Sequence, residues 1–376
     1  MNKISAKLPF FEKIGYSLGD TASNLFWQTF SMFLLFFYTD IFGISAAAAG
    51  TMFLVTRIWD TVNDPLMGIL ADRTNTRWGK FRPYLLWLAI PFGVIGVLTF
   101  ITPDFSDSGK IIYAYITYSL MMMIYTAINI PYSALMGVMS PNSLERTSLS
   151  SFRFVAAFGG GLIVQGTALK LVKVTGGGNQ AVGWQWTMTI FAILAAALFL
   201  TTFATTKERV RPPKTQITSL RNDLKDLFGN IPWLMLFAIG IFLLTFVSIR
   251  NGSIMYYFKY YVGDQTINLF GKSYSYDKDV LASAFMVFGS VANIVGVLST
   301  RFISQLFGKR RAFIILMFLT AVLTAIFYLI SNNAIITMFV IQVLISLVMG
   351  PLSPMIWAMY TDTADYSEWK TGRRAT

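Results

Sequence analysis

The sequence predicts an all-α polytopic membrane protein, and three observations carry that expectation. Hydrophobic residues make up 55% of the 376 residues and aromatic residues 16%, while charged residues reach only 13%, against about 25% in ordinary soluble chains. Segment after segment reaches the roughly 20 apolar residues that cross a bilayer. Lys and Arg, the source of the net charge of +12, collect in alternate loops.

About ten helices follow from apolar length, at 15–42, 46–71, 82–102, 111–139, 149–173, 184–206, 231–262, 279–303, 311–331 and 334–360. The first carries a polar stripe in GYSLGDTASNLFWQ. The second is an apolar run interrupted by RIWDTVNDP. The third follows the basic loop DRTNTRWGKFR. The fourth and seventh are long and contain Pro131 and Gly252, where a kink or tilt is expected. Gly159–Gly161 in the fifth permit close helix packing, and Gly176–Gly178 read as a flexible external loop before the sixth. The last three are ordinary apolar spans. The abundant Met and Phe read as core and lipid-facing residues.

Sidedness follows from Lys, Arg and loop order. Lys3, Lys7 and Lys13 precede helix 1. Arg73, Arg77, Lys80 and Arg82 lie between helices 2 and 3. Lys207, Arg209, Arg211, Lys214, Arg221 and Lys225 lie between 6 and 7, and Lys309, Arg310 and Arg311 between 8 and 9. The opposite loops, around 103–110, 174–183 and 263–278, carry few, so both termini are expected in the cytoplasm. The positive charge is thus a topology signal with a weak attraction for membrane lipid, and no nucleic-acid partner is expected. MNKISAKLPFFEK reads as a cytoplasmic lead-in, lacking the small-residue cleavage site of a signal peptide. The absence of Cys and His removes disulfides, thiol chemistry and the usual zinc sites. Any proton handling falls to carboxylates.

KERVRPPKTQITSLRNDLKDLFGN is the only long polar stretch. It divides an N-terminal six-helix bundle (1–206) from a middle loop (207–230) and a C-terminal bundle (231–376). Loose repeats relate the halves: DPLMGILADRTNTRWGKFR matches ANIVGVLSTRFISQLFGKRR, and PYSALMGVMSPNSLERT matches PMIWAMYTDTADYSEWKTGR. Against six helices in the first half, the second has four before the sequence stops at TGRRAT. A truncated chain lacking a final helix pair is the expectation.

The chemistry concentrates in RIWDTVNDP. Charges at the middle of a membrane helix cost roughly 2.5–3.5 kcal/mol each on insertion scales. Arg57, Asp60 and Asp64 fall at i, i+3 and i+7, on one helix face, with Asn63 beside them. Two carboxylates one turn apart offer hard oxygen ligands to a small cation or share a proton; Pro65 frees a backbone carbonyl nearby. The alternative is an Arg57–acid pair that merely holds the bundle together, which leaves one acid unexplained. Tyr16, Asp20, Ser23, Asn24, Trp27 and Gln28 on helix 1, Tyr125, Thr126 and Asn129 on helix 4, Arg153 and Gln165 on helix 5, and Arg250 and Asn251 on helix 7 offer the polar and aromatic groups that a sugar requires. Interhelical hydrogen bonding is the competing role for the amides and hydroxyls. For Arg153 it is an ion pair to Asp20 or to a helix-2 acid.

These segments, with FYTDIFGIS, INIPYSALMGVMS, LERTSLSSFRF and DTADYSEWKTGRR, resemble the glycoside–pentoside–hexuronide:cation symporters of the major facilitator superfamily over nearly the whole chain. The resemblance implies a fold of two pseudo-symmetric helix bundles and twelve helices, of which the last two are missing here. It also implies alternating access by rocking bundles. It places the cation site on Asp60, Asp64, Asn63 and Thr126 and the sugar site on Asn24, Tyr125, Asn129 and Arg153, with Asp20, Arg57 and Asn251 as supporting candidates. It assigns Asp72, Arg73, Arg77 and Lys80 to the superfamily's gating motif. No cofactor is implied beyond a coupling ion, H⁺, Na⁺ or Li⁺, with Na⁺ at Asp60 and Asp64. The melibiose-type members carry acids where this chain has Asn24 and Asn129, so galactoside specificity does not transfer. The expected function is cation-coupled symport of a sugar or glycoside across a bacterial inner membrane. The alternatives are transport of another amphipathic or lipid-like solute, or a non-transporting sensor or fragment. An enzyme is not expected, since no nucleophile–base constellation appears.

Overall fold

The computed structural model describes residues 7–141, 143–210, 229–269, 272–357, 359–360 and 363. Most of the middle loop (211–228, with Arg211, Lys214, Arg221 and Lys225), Lys3, and nearly all of DTADYSEWKTGRR lie outside the described residues. The chain divides into two compact units, Met1–Pro213 and Lys214–Thr376.

The first unit holds six helices. α1 (Phe10–Thr29) continues through π-helical turns at Phe30–Leu34 and Phe37–Phe42 and stops at Gly43, whose φ of 83° supplies the left-handed C-terminal residue. α2 (Ala46–Arg73) starts under a Ser45 cap and runs through Pro65. α3 (Arg82–Leu98) has Pro83 in its first turn, where the missing N–H costs nothing. α4 (Asp107–Met139) is capped by Ser106, α5 spans Ser143–Gly176, and α6 (Gln180–Thr205) is capped by Asn179. α1 packs on α5 and α6, α3 on α4 and α6, and α2 on α4. The α1–α5 approach needs a glycine. A Cβ on Gly160 would meet the Thr21 carbonyl oxygen at 2.9 Å and Asn24 Cβ at 3.1 Å. An aromatic core fills the unit, with Phe26 on Phe92 (4.6 Å between centroids), Phe37 on Phe100 (4.8 Å) and Phe33 on Trp184 (5.2 Å).

The second unit has four helices among the described residues. α7 (Ile231–Tyr256) ends in a π-helical turn, Tyr257–Val262. α8 (Lys278–Phe307), α9 (Lys309–Tyr328) and α10 (Ile335–Met349) follow. Leu243, Ala312, Phe313, Leu316, Leu352, Met355 and Ile356 form its core. Two details depart from the sequence reading. The last apolar segment, expected as one helix, breaks after Met349 and resumes at 352–357; Pro351 has no N–H to continue the ladder. The loop at 263–278 contains an antiparallel hairpin of β1 (Gln265–Leu269) and β2 (Lys272–Tyr276), pairing Gln265 with Tyr276. Thr, Ile and Tyr there favour extended backbone.

Among the described residues, seven helical segments are long and apolar enough to cross a membrane, the last of them Ile335–Trp357 taken across the Pro351 interruption. α2 is not among them, because Arg57, Asp60 and Asp64 lower its hydropathy. α1, which carries Glu12, Lys13 and Asp20, is not among them either.

Candidate functional site

α2 leans on α4, and two of its acids meet different partners. Asp64 Oδ1 accepts a hydrogen bond of 2.9 Å from the Thr126 hydroxyl of α4. Asp60 Oδ2 lies 3.6 Å from Arg57 Nη1 on its own helix, at the i,i+3 spacing. The other Asp60 oxygen, Oδ1, is buried and accepts no hydrogen bond. A buried carboxylate oxygen without a donor is costly, and a cation or a proton is what would satisfy it. Asn63 is half-buried between them on the same helix. The fold therefore joins Asp64 to Thr126 of α4, one turn from Asp60, with Arg57 offsetting one acid rather than both.

Beside this cluster stand two aromatic rings. Trp27 of α1 and Tyr125 of α4 lie 5.6 Å apart, and the Arg57 guanidinium lies 5.1 Å from the Trp27 ring. One turn further along α4, Asn129 Oδ1 accepts from the Ser23 hydroxyl at 2.7 Å, and its amide donates to the Tyr125 carbonyl. Asn24 donates to the Asp20 carbonyl of its own helix. Each amide therefore spends one donor on local structure and keeps a second donor and acceptor capacity.

Arg153 of α5 is engaged with Asp20 of α1 in a side-on pair, Nε to Oδ2 at 2.8 Å and Nη2 to Oδ1 at 3.0 Å. The Tyr132 hydroxyl donates to the same Asp20 Oδ2 at 2.5 Å. The guanidinium stacks 4.9 Å from the Tyr132 ring and 5.8 Å from the Tyr16 ring. The Tyr16 hydroxyl donates to the Tyr132 carbonyl at 3.0 Å; the Tyr132 oxygen also lies 2.8 Å from the Tyr16 carbonyl, but its single proton serves the closer Asp20 carboxylate. Of the two roles open to Arg153 in the sequence, the ion pair to Asp20 is formed. Tyr132 was not legible as part of the site; its one signal is its i+7 spacing from Tyr125 along α4. Asn251 lies on α7 in the second unit, beside Arg250, which donates to Gln342.

The gating-motif candidates are at the other end of α2. Lys80 Nζ pairs with Asp72 at 2.9 Å, Arg77 stacks on Trp78 at 4.3 Å, and Arg73 is exposed. Here the sequence missed the principal anchor. Glu208, read as the start of the middle loop, inserts its carboxylate at the N-terminus of α3 and accepts from the N–H groups of Lys80 (2.8 Å), Phe81 (2.7 Å) and Arg82 (3.0 Å). A Cβ on Gly79, at φ 115°, would lie 2.5 Å from Glu208 Oε1. Arg209 clamps Glu12 of α1 through bonds of 2.6 and 2.8 Å. At 206–210 the polar stretch therefore belongs to the first unit. The grooves of the second unit, of about 320 and 300 Å³, are lined by side chains such as Val280, Ile335, Phe339 and Val343 and offer little to a polar solute.

The family model for MFS/sugar transport proteins matches residues 15–376. The chain is 40% identical to the inner membrane symporter YicJ of Escherichia coli (strain K12) over 97% of its own length and 76% of that protein's. It is 36% identical to an isoprimeverose transporter of Lactiplantibacillus pentosus over 98% of its own length and 74% of that protein's. A crystal structure of a D-xylose–proton symporter superposes with a TM-score of 0.57 at 13% identity, covering 96% of this chain and 86% of that one, which establishes the fold. The chain therefore belongs to the MFS/sugar transport family, the glycoside–pentoside–hexuronide:cation symporters of the major facilitator superfamily, and is a multi-pass, cation-coupled transporter and not an enzyme.

Proposed function

We propose that the chain carries a sugar or glycoside across the inner membrane by alternating access, coupled to Na⁺ or H⁺, with both termini in the cytoplasm. The observation that carries this reading is the pair Asp60 and Asp64 on α2, tied to α4 through Thr126 and leaving Asp60 Oδ1 buried without a donor. A hydroxyl and two carboxylates are a hard oxygen set that suits a small cation, and the same oxygens take a proton. Asn63 supplies a further amide oxygen.

The sugar would lie against Trp27 and Tyr125, whose faces match the apolar face of a pyranose. Asn24, Asn129 and the free N–H groups of Arg153 would meet its hydroxyls. Tyr125 and Thr126 are adjacent in α4, and Arg57 touches both Trp27 and Asp60. Loading the cation therefore acts on side chains next to the sugar, and the two bindings reinforce each other by linkage. The family description and the relative named for isoprimeverose support a sugar as the cargo.

Uptake by proteoliposomes tests the assignment. Asp64→Asn should abolish accumulation driven by a sodium or proton gradient while leaving counterflow exchange of sugar measurable. Undiminished gradient-driven accumulation in the variant would refute the cation site.

A further inference from the structure

We infer that Asp20 is a charge-selecting residue: by holding Arg153 as a neutral pair it fits the site to uncharged glycosides and turns away sugars bearing a carboxylate or sulfonate. The inference rests on the glycoside reading above and specifies its substrate class.

An arginine in a membrane transporter is the natural receptor for an anionic sugar, because its Nε/Nη2 edge matches a carboxylate bidentately. In Arg153 that edge is already filled. Nε and Nη2 donate to the two oxygens of Asp20 at 2.8 and 3.0 Å. Asp20 is itself pinned by the Tyr132 hydroxyl at 2.5 Å, and the guanidinium face lies against Tyr132. Of the five N–H donors of an arginine, two are spent on Asp20, and three remain for single hydrogen bonds to hydroxyls. An anionic substrate would have to displace a carboxylate held by three hydrogen bonds.

The charge balance points the same way. Arg153 and Asp20 cancel. Arg57 offsets one of the two acids on α2, so the cluster, with its acids ionised, carries one uncompensated negative charge. A single monovalent cation neutralises it, and a neutral sugar leaves it neutral. An anionic sugar would restore a net charge within the membrane, where charge is expensive.

The test is calorimetric titration of the full chain in lipid nanodiscs, with sodium present, using methyl glucosides, galactosides and xylosides against methyl glucuronides and galacturonides. Wild type should bind its preferred neutral glycoside roughly tenfold or more tightly than any uronide, the scale of one close charge interaction. Asp20→Asn frees the Arg153 edge and should shift that ratio toward the uronides by roughly tenfold; adding Arg153→Gln should reverse the shift. Equal or tighter uronide binding by wild type overturns the inference. So does an unchanged ratio in an Asp20→Asn protein that still binds neutral glycosides. Should Asp20→Asn not yield folded protein, the wild-type ratio decides alone. Binding of neither series by well-folded wild type overturns the glycoside reading itself and this inference with it.

Discussion

At the scale of single residues, the account turns on a few oxygen atoms. Thr126 donates a hydrogen bond of 2.9 Å to Asp64 across helices. A hydrogen bond to a charged group contributes about 1.5–3 kcal/mol, so Thr126→Ala should raise the half-saturating sodium or proton concentration for uptake by roughly tenfold, while Thr126→Ser should restore it. A cation-activation curve measured on both variants checks this; an unshifted Ala curve places Thr126 outside the site. Much of the residue-level picture was legible in the sequence. The i,i+3,i+7 spacing of Arg57, Asp60 and Asp64 in an otherwise apolar helix announced a cluster that needed a purpose. The pairing across helices was not legible. Asp20 meets Arg153 over 133 residues and Tyr132 over 112, and only folding decides which of several polar groups on α1 each of them finds.

At the scale of elements, helix positions follow from hydropathy, but the joints between helices do not. Glu208 closes on the α3 N-terminus from more than 120 residues away, and nothing in KERVRPP distinguishes that glutamate from a loop charge. Its removal leaves three N–H groups without their acceptor. Glu208→Ala should therefore lower stability by about 1–2 kcal/mol, the scale of a lost helix cap, seen as a lower midpoint in thermal unfolding of the detergent-solubilised protein, with Glu208→Gln recovering part of it. An unchanged midpoint in the Ala variant would mean that water caps α3 equally well. A second joint is sensitive to acid. The Lys13 ammonium at 2.8 Å, followed by the Leu8 N–H at 3.0 Å, holds the Glu145 carboxyl below its ordinary value of 4.5. Glu145 lies outside the apolar span that begins at Ser148. Because the folded value is the lower one, its contribution to stability is present above about pH 4.5 and is lost as pH falls through the folded value. The difference in unfolding midpoint between wild type and Glu145→Gln should shrink on acidification from about pH 6 to pH 3; a constant difference would contradict this assignment. The hairpin at Gln265–Tyr276 was likewise hidden, since five-residue strands within a polar loop carry little pattern.

For the whole molecule, the central claim is that two ligands share one physical neighbourhood. The oxygens proposed to bind the cation on α2 and the groups proposed to meet the sugar on α1, α4 and α5 all lie in the first unit. Arg57 links Asp60 to Trp27, and Asp64 links to the turn of α4 that carries Tyr125. Such coupling is reciprocal, so the factor by which the cation tightens the sugar must equal the factor by which the sugar tightens the cation. The measurement that tests this most directly is calorimetric binding of a glycoside panel to the purified protein, with and without sodium at two pH values, in wild type and in Asp64→Asn. The account predicts that one glycoside binds wild type, that sodium or a proton tightens it by roughly fivefold or more, and that Asp64→Asn removes this ion dependence. A sugar affinity indifferent to both ions, or an ion dependence that survives in Asp64→Asn, would contradict it.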